Sequence, residues 1–267
     1  MSLSAQIDLG RLLPRLDAVV REAGDIALGY FRDGARNWTK ADDSPVTEAD
    51  IAVDRFLAER LPPLVEGSAW LSEETADDGD RISRRHVWIV DPIDGTRDYI
   101  RGRDGWAVSV ALIEDCQPVL GVLDAPVRRQ RWTAAAGQGA RMNGERLAVS
   151  PRVDFAGSRT PVDALPKADR DLLMVAKPNS IALRMAMVAS GEADFLATLR
   201  WGNEWDVAAS ILIAREAGAT VTDAIGRKLR FNQARPQFFG VMAAAPGIHG
   251  AAVERLRDRA IVALGKR

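Results

Sequence analysis

Between residues 87 and 149 the chain changes rhythm, and that change limits the folds open to it. Short apolar runs at 87–90, 106–113, 119–123 and 131–135 succeed one another. The later ones are separated only by Glu114-Asp115 and by residues 126–130. A parallel crossover needs about a dozen residues or more, so these runs read as antiparallel neighbours. Asn143-Gly144 is a hairpin signal and predicts a further strand at 147–149. Before this block the period is helical. Leu12, Leu16, Val19, Val20, Ala23, Ile26, Ala27 and Tyr30 recur at three- and four-residue spacing, with Pro14 early enough to be tolerated. Thr47 reads as an N-cap with Asp50 three residues on, opening a second helix through Val53, Leu57 and Leu61 that Pro62-Pro63 stops.

After the block the pattern shifts again. Residues 151–171 are rich in Pro, Asp, Arg and Ser and mark the expected junction between a 1–150 half and a 151–267 half. Beyond it, strands (172–176, 193–197, 220–222, 238–243) alternate with helices at 181–190, 206–217 and from His249, with Gly218 placed as a C-terminal cap. The fold expected is an antiparallel-rich α+β half followed by an α/β half.

Composition narrows the function. Thirty-six basic against 37 acidic residues, a net charge of −1, argues against a nucleic-acid coat or a polybasic membrane protein. One cysteine, Cys116, forbids an intrachain disulfide, and two histidines, His86 and His249, leave little for histidine catalysis. No apolar run reaches the roughly 18 residues of a membrane helix. Asp8 and Asp17 stand where a signal peptide would be basic and then apolar, so a cytoplasmic protein is expected. The P-loop pattern is absent, and Gly137-Gln138-Gly139 lacks the third glycine of a dinucleotide fingerprint.

The chemistry concentrates in Asp91-Pro92-Ile93-Asp94-Gly95-Thr96, at the carboxyl end of the first apolar run. Two carboxylates three apart can converge on one side of a turn, and Gly95 lets backbone approach a ligand closely. The same six residues also suit a plain structural turn. Glu73-Glu74 ends another expected strand at Ala69-Trp70-Leu71, and Asp206 opens an apolar helix, where an acid is favoured by the helix dipole alone. Taken together they are a hard-oxygen, multi-carboxylate donor set of the kind magnesium takes. Two such ions about 3.5–4 Å apart could clamp a phosphoryl displacement.

Glu73-Glu74, Trp88 to Thr96 and Trp205-Asp206-Val207-Ala208-Ala209, with the Lys40 to Asp50 stretch and its Ser44-Pro45-Val46-Thr47-Glu48-Ala49-Asp50 ahead of them, stand in the order of the inositol monophosphatase superfamily, which the chain resembles. The resemblance implies a layered αβαβα sandwich and a magnesium-dependent phosphomonoesterase sensitive to lithium. It assigns Glu73, Asp91 and the Ile93 carbonyl to one magnesium, and Asp91, Asp94 and Asp206 to a second. Asp50 joins the cluster, with a third ion as an option. Thr96, supported by Asp50 or Glu73, orients the attacking water, and the Gly95 and Thr96 amides hold the phosphate.

For the substrate, Arg97-Asp98-Tyr99 and Glu204 before Trp205-Asp206 resemble the 3′(2′),5′-bisphosphate nucleotidase branch, whose substrate is 3′-phosphoadenosine 5′-phosphate. Pro178-Asn179-Ser180 stands where that branch has Gly-Ser-Ser. The alternatives are an inositol, sugar or histidinol phosphate phosphatase, or a catalytically idle metal-binding relative. A small-molecule phosphate ester is the expected partner. The resemblance leaves both monomer and homodimer open. Of the arginines near the motif, Arg81, Arg84, Arg85, Arg97, Arg101, Arg103 and Arg200, the one expected beside substrate is Arg97, with Arg101 next.

Overall fold

The computed structural model describes residues 7–41, 43–77 and 79–265. Helix α1 (Leu9–Asp33) is N-capped by Asp8, and α2 (Glu48–Arg60) opens on a full capping box: Thr47 accepts from Ala49 and Asp50 amides while Asp50 accepts from Thr47. Between them lies a small hairpin, β1 (Asn37–Thr39) and β2 (Pro45–Thr47).

The main sheet has seven strands in sequence order: β3 (Ala69–Ser72), β4 (His86–Asp94), β5 (Ala107–Glu114), β6 (Gln117–Ala125), β7 (Gln130–Ala135), β8 (Gly139–Met142) and β9 (Glu145–Arg146). Only β3 and β4 run parallel; the rest form the expected antiparallel meander. Successive side chains leave opposite faces of a strand. Trp88 and Val90 therefore join the α1 and α2 core, while Val87 and Ile89 join the core on the other face. Burial on both faces is why residues 87–90 form an unbroken apolar run.

Against the second face pack α4 (Ile181–Ala189) and α5 (Ala208–Glu216), and beyond them a three-stranded sheet of β12 (Phe195–Ala197), β16 (Met242–Ala244) and β14 (Thr220–Thr222). Ala243 faces α4 and α5, whereas Met242 and Ala244 face α6 (Pro246–Leu264). Helices, sheet, helices, sheet and helix make the αβαβα sandwich. Short pairs β10 (Arg159–Pro161) with β11 (Leu173–Val175), and β13 (Trp201–Asn203) with β15 (Gln237–Phe239), complete it. Among the described residues no helix is long and apolar enough to cross a membrane.

The structure corrects several boundaries. Residues 147–149 are not a strand: the hairpin closes into β9 at 145–146, and Val149 bonds instead to Ala217 beyond α5. The strand expected at 238–243 is two, broken at Gly240, where φ is +65° and a Cβ would lie 2.2 Å from the Thr198 carbonyl. Helix α5 begins at Ala208, so Asp206 precedes it rather than opening it, and α6 begins at Pro246 rather than His249. The second half is not purely α/β. β12 and β14 run the same way across α5, but β16 inserts antiparallel to both. Alternating apolar segments cannot reveal that a late strand returns between two earlier ones.

Candidate active site

Parallel pairing of β3 with β4 puts their carboxyl ends side by side, and the Glu73 amide donates to Val90 O at 3.3 Å. Strand β4 does not stop at Asp91-Pro92 as its apolar run suggests. It continues to Asp94 through a register shift between Asp91 and Asp94, which re-aims side chains as a bulge does. The Asp91 carboxylate turns back onto the Ile93 amide at 3.0 Å. At Gly95, φ is +99° and a Cβ would lie 2.6 Å from the Gly105 carbonyl, so the turn into α3 (Thr96–Ile100) requires glycine. Tyr99 anchors this short helix, donating to Ala27 O at 2.8 Å and stacking edge-on to Phe31 and Trp106.

The other acids arrive from elsewhere in the chain. Asp206 is held by the Asn203 amide at 3.1 Å. Asp94 accepts from Ser180 Oγ at 2.5 Å and from the Ala182 amide at 2.7 Å, which seats its charge on the N-terminus of α4. Asp50 accepts from the Thr47 amide and hydroxyl at 2.8 and 2.6 Å. Glu73, Asp91 and Asp206 each offer an oxygen, all within 4.8 Å of one another. Asp94 and Asp50 stand beside that trio, close enough that their charges disfavour ionisation within it.

Burial and mutual repulsion leave these acids reluctant to ionise. Burial is the largest cause for each, pushing Asp50 and Asp206 up to about 7 and Glu73 to about 8. Asp91 and Asp94 are also raised, first by burial; repulsion from Glu73 and Asp94 adds to Asp91, while bonds from Ser180 and Ala182 restrain Asp94. Such a set is short of positive charge. Lys40 supplies one: its ammonium lies 2.7 Å from Glu74 and 3.5 Å from Glu73. Burial pulls Lys40 down, but the Glu74 hydrogen bond and the charges of Glu73, Glu74 and Asp50 outweigh it and leave it raised. Oxygen-only donors with raised affinity for protons fit a hard divalent cation such as magnesium.

The acids line a cleft of about 430 Å³ whose lining also carries four basic side chains, Arg97, Lys177, Arg184 and Arg200. Arg97 is exposed at the rim, Lys177 pairs with Asp163, and Arg184 is 9% exposed. The Arg184 hydrogen bonds run to two carbonyls, of Ser180 and Asn179, both at 3.2 Å, rather than to a carboxylate. A larger groove of about 750 Å³ beside α1 is lined by Arg11, Arg15, Glu66 and His86 and holds no comparable acid set.

The expected residues thus meet in part. Asp91, Asp94, Glu73, Asp206, Ile93, Gly95, Thr96 and Arg97 all line the cleft, with Asp50 behind it. The Thr96 hydroxyl donates to Ile93 O at 3.1 Å rather than to Asp50 or Glu73, and the N-cap position of α3 belongs to Gly95. Among the other arginines, Arg81 is wholly buried against Asp77 and Asn232, Arg85 pairs with Glu114 and Asp115, and Arg103 lies 3.7 Å from Asp98. Glu204 faces the 232–233 backbone, not the cleft. Asn179 and Ser180 dock α4 onto α3 and β4, through the Asp98 and Asp94 carboxylates.

Sequence reasoning missed Lys177 and Arg184, and gave Lys40 no role beyond opening the motif that runs to Asp50. The signal for Arg184 was available: it is the one charged residue in an otherwise apolar helix, and a lone buried charge needs a reason.

Residues 12–261 match the inositol monophosphatase family. A 3′(2′),5′-bisphosphate nucleotidase CysQ of Escherichia coli O157:H7 is 32% identical over 234 residues, 82% of this chain and 94% of its own. A fructose-1,6-bisphosphatase/inositol-1-monophosphatase of Thermotoga maritima is 34% identical over 197 residues, 68% of this chain and 73% of its own. Among solved structures, an IMPase of Thermotoga maritima superposes with a TM-score of 0.80 at 25% identity, covering 92% of this chain and 96% of that one.

Proposed function

The chain belongs to the inositol monophosphatase family of phosphomonoesterases, and from that premise we propose that it is a magnesium-dependent 3′(2′),5′-bisphosphate nucleotidase acting on 3′-phosphoadenosine 5′-phosphate. The observation that carries this reading is a cleft lined both by a converging carboxylate set and by four basic side chains. Glu73, Asp91 and the Ile93 carbonyl would hold one magnesium, and Asp91, Asp94 and Asp206 a second, with Asp50 adjoining. Bound there, magnesium supplies charge neutralisation and activation of water for attack on phosphorus.

The chain's own residues do the rest. Asp94, fixed by Ser180 and Ala182, and Asp206, fixed by Asn203, are held in place before any ligand arrives. Thr96 sits one hydrogen bond from Ile93 O, where its hydroxyl can orient a water. The amides of Gly95 and Thr96, at the start of α3, present donors to a phosphate oxygen. The four basic side chains favour a second phosphate over a bare sugar. A guanidinium as buried as Arg184, satisfied only by carbonyls, gains a charge-assisted partner when an anion enters. An inositol or sugar monophosphate offers those side chains nothing but hydroxyls.

The test is phosphate release, with magnesium, from 3′-phosphoadenosine 5′-phosphate, inositol 1-phosphate, fructose 1,6-bisphosphate and histidinol phosphate. The nucleotide should have the highest kcat/KM. Arg184→Ala and Arg97→Ala should lower that value by roughly tenfold or more, as for a lost charged hydrogen bond, and should spare the monophosphates. A preference for inositol 1-phosphate untouched by either substitution would overturn the nucleotidase reading.

A further inference from the structure

A buried polar brace lies behind the cleft and touches neither metal nor substrate. Arg81 is fully buried and grips Asp77 with Nε at 3.0 Å and Nη2 at 2.6 Å. The same guanidinium donates to Asn232 Oδ1 at 2.8 Å and Gln233 O at 3.0 Å, and Asn232 Nδ2 returns a bond to Arg81 O at 2.9 Å. On the far side of those two residues stands Glu204, also fully buried. Its carboxylate accepts from the Asn232 amide at 2.7 Å, the Gln233 amide at 3.0 Å and Gln233 Nε2 at 3.4 Å. The Glu204 backbone is committed as well, donating to Pro236 O at 2.9 Å and accepting from Ala208 N at 3.0 Å at the start of α5.

The two ends of this brace sit on the two arms of the acid trio. Arg81 follows Glu73 along the segment leaving β3, and Glu204 lies two residues before Asp206. Asn232-Gln233 is the rung between them, and Asn232 adopts φ +58°, the left-handed region that asparagine tolerates better than most residues. Burying a guanidinium and a carboxylate rarely adds net stability over apolar side chains of the same volume; what it adds is a defined arrangement. Glu73 and Asp206 come from opposite halves of the chain, and each would share an ion with Asp91, so their oxygens must stay within a few ångströms of it and of each other.

We infer that Arg81, Asn232 and Glu204 are positioning residues that hold the Glu73 and Asp206 arms at ion-binding separation, so that magnesium affinity depends on them. The inference rests on the metal reading proposed above. Groups bonded directly to a metal ligand cost 10–100-fold in metal affinity or activity when removed; the brace bonds to no ligand side chain and acts through the backbone, at the lower end of that range.

The experiment is calorimetric titration of the full-length protein with magnesium alone, followed by turnover at saturating magnesium. Glu204→Gln turns one acceptor into a donor facing an amide, and should weaken magnesium binding by roughly tenfold or more. Asn232→Gly keeps the backbone amide and tolerates the positive φ while removing both side-chain bonds between Asn232 and Arg81 and leaving the one to Gln233 O, and should weaken it by about threefold or more. Because the variants leave every ligand in place, kcat should return to within about twofold of wild type once magnesium saturates, which a general loss of fold would not allow. Should Glu204→Gln fail to fold, Asn232→Gly decides. Wild-type binding with unchanged affinity in the folded variants would overturn the brace alone. A wild type that takes no magnesium would overturn the functional reading and the brace with it.

Discussion

Raising the pH of the metal-free protein from about 5 to 8 is expected to weaken the fold, and magnesium to restore the share lost at the acid cluster; Asp124 and Glu204, each raised to about 7 chiefly by burial, lose theirs elsewhere. Burial first, then repulsion among the acids, moves Asp206 from 3.8 to about 7 and Glu73 from 4.5 to about 8; burial moves Asp50 from 3.8 to about 7 against its Thr47 bonds. A carboxyl whose folded value lies above its unfolded one keeps a proton that the unfolded chain has released. Its contribution is therefore whole below about pH 4 and is lost as pH rises through 7 to 8. One pH unit on one group is about 1.4 kcal/mol, so between pH 5 and the folded values of about 7 to 8 each acid loses roughly 3–4 kcal/mol. The three share one site and release protons as a set. Their sum would rival the 5–15 kcal/mol typical of a whole fold, so local relaxation must absorb part of it. A net loss near one group's share, about 4 kcal/mol, corresponds to a fall of roughly 8–16 °C in Tm for a chain of this size. Asp194, drawn to about 2 by Arg159 and its neighbours despite burial, has the opposite sign but acts below this window. The assay is scanning calorimetry in chelator and in excess magnesium at both ends of the range. Cations replace protons on the acids, so the magnesium increment should be larger at the alkaline end. A metal-free Tm that stays flat, or an increment independent of pH, would refute the reasoning.

Asp91→Asn keeps an acceptor for the Ile93 amide but removes a fully buried charge. It should raise the metal-free Tm at alkaline pH, abolish the magnesium increment and cut turnover by roughly 10²-fold or more, since metal charge stabilisation is worth several kcal/mol. Thr96→Ala should lower kcat by roughly 10²-fold with little change in KM, as for loss of a group that aligns the nucleophile; a KM effect alone in steady-state kinetics would move Thr96 to substrate binding. Gly24→Ala places a Cβ 1.9 Å from Asp124 Oδ2, so α1 must lift from the sheet or Asp124 must move. The expected cost is about 1–3 kcal/mol, read as a lower Tm with kcat unchanged.

Local chemistry was legible wherever neighbours in sequence supply the answer. The apolar period of α1, the Thr47–Asp50 capping box, the meander from β4 to β7 and the Asn143-Gly144 hairpin all follow from propensity, caps and turn residues within a few positions. The Asp91–Thr96 block likewise marked where chemistry would sit. Tertiary structure decided which acids meet. Asp206 reaches Asp91 only because α5 packs on the face of the main sheet opposite α1, and Glu73 only because β3 pairs with β4 in parallel. It also decided which cations matter. Arg81 and Arg184 are equally arginine in the sequence, yet one is locked in a brace and the other lines the cleft. Period and propensity act between residues a few positions apart and are written in the chain. The meeting of charges more than a hundred residues apart is set by how whole layers stack, and no local window contains it.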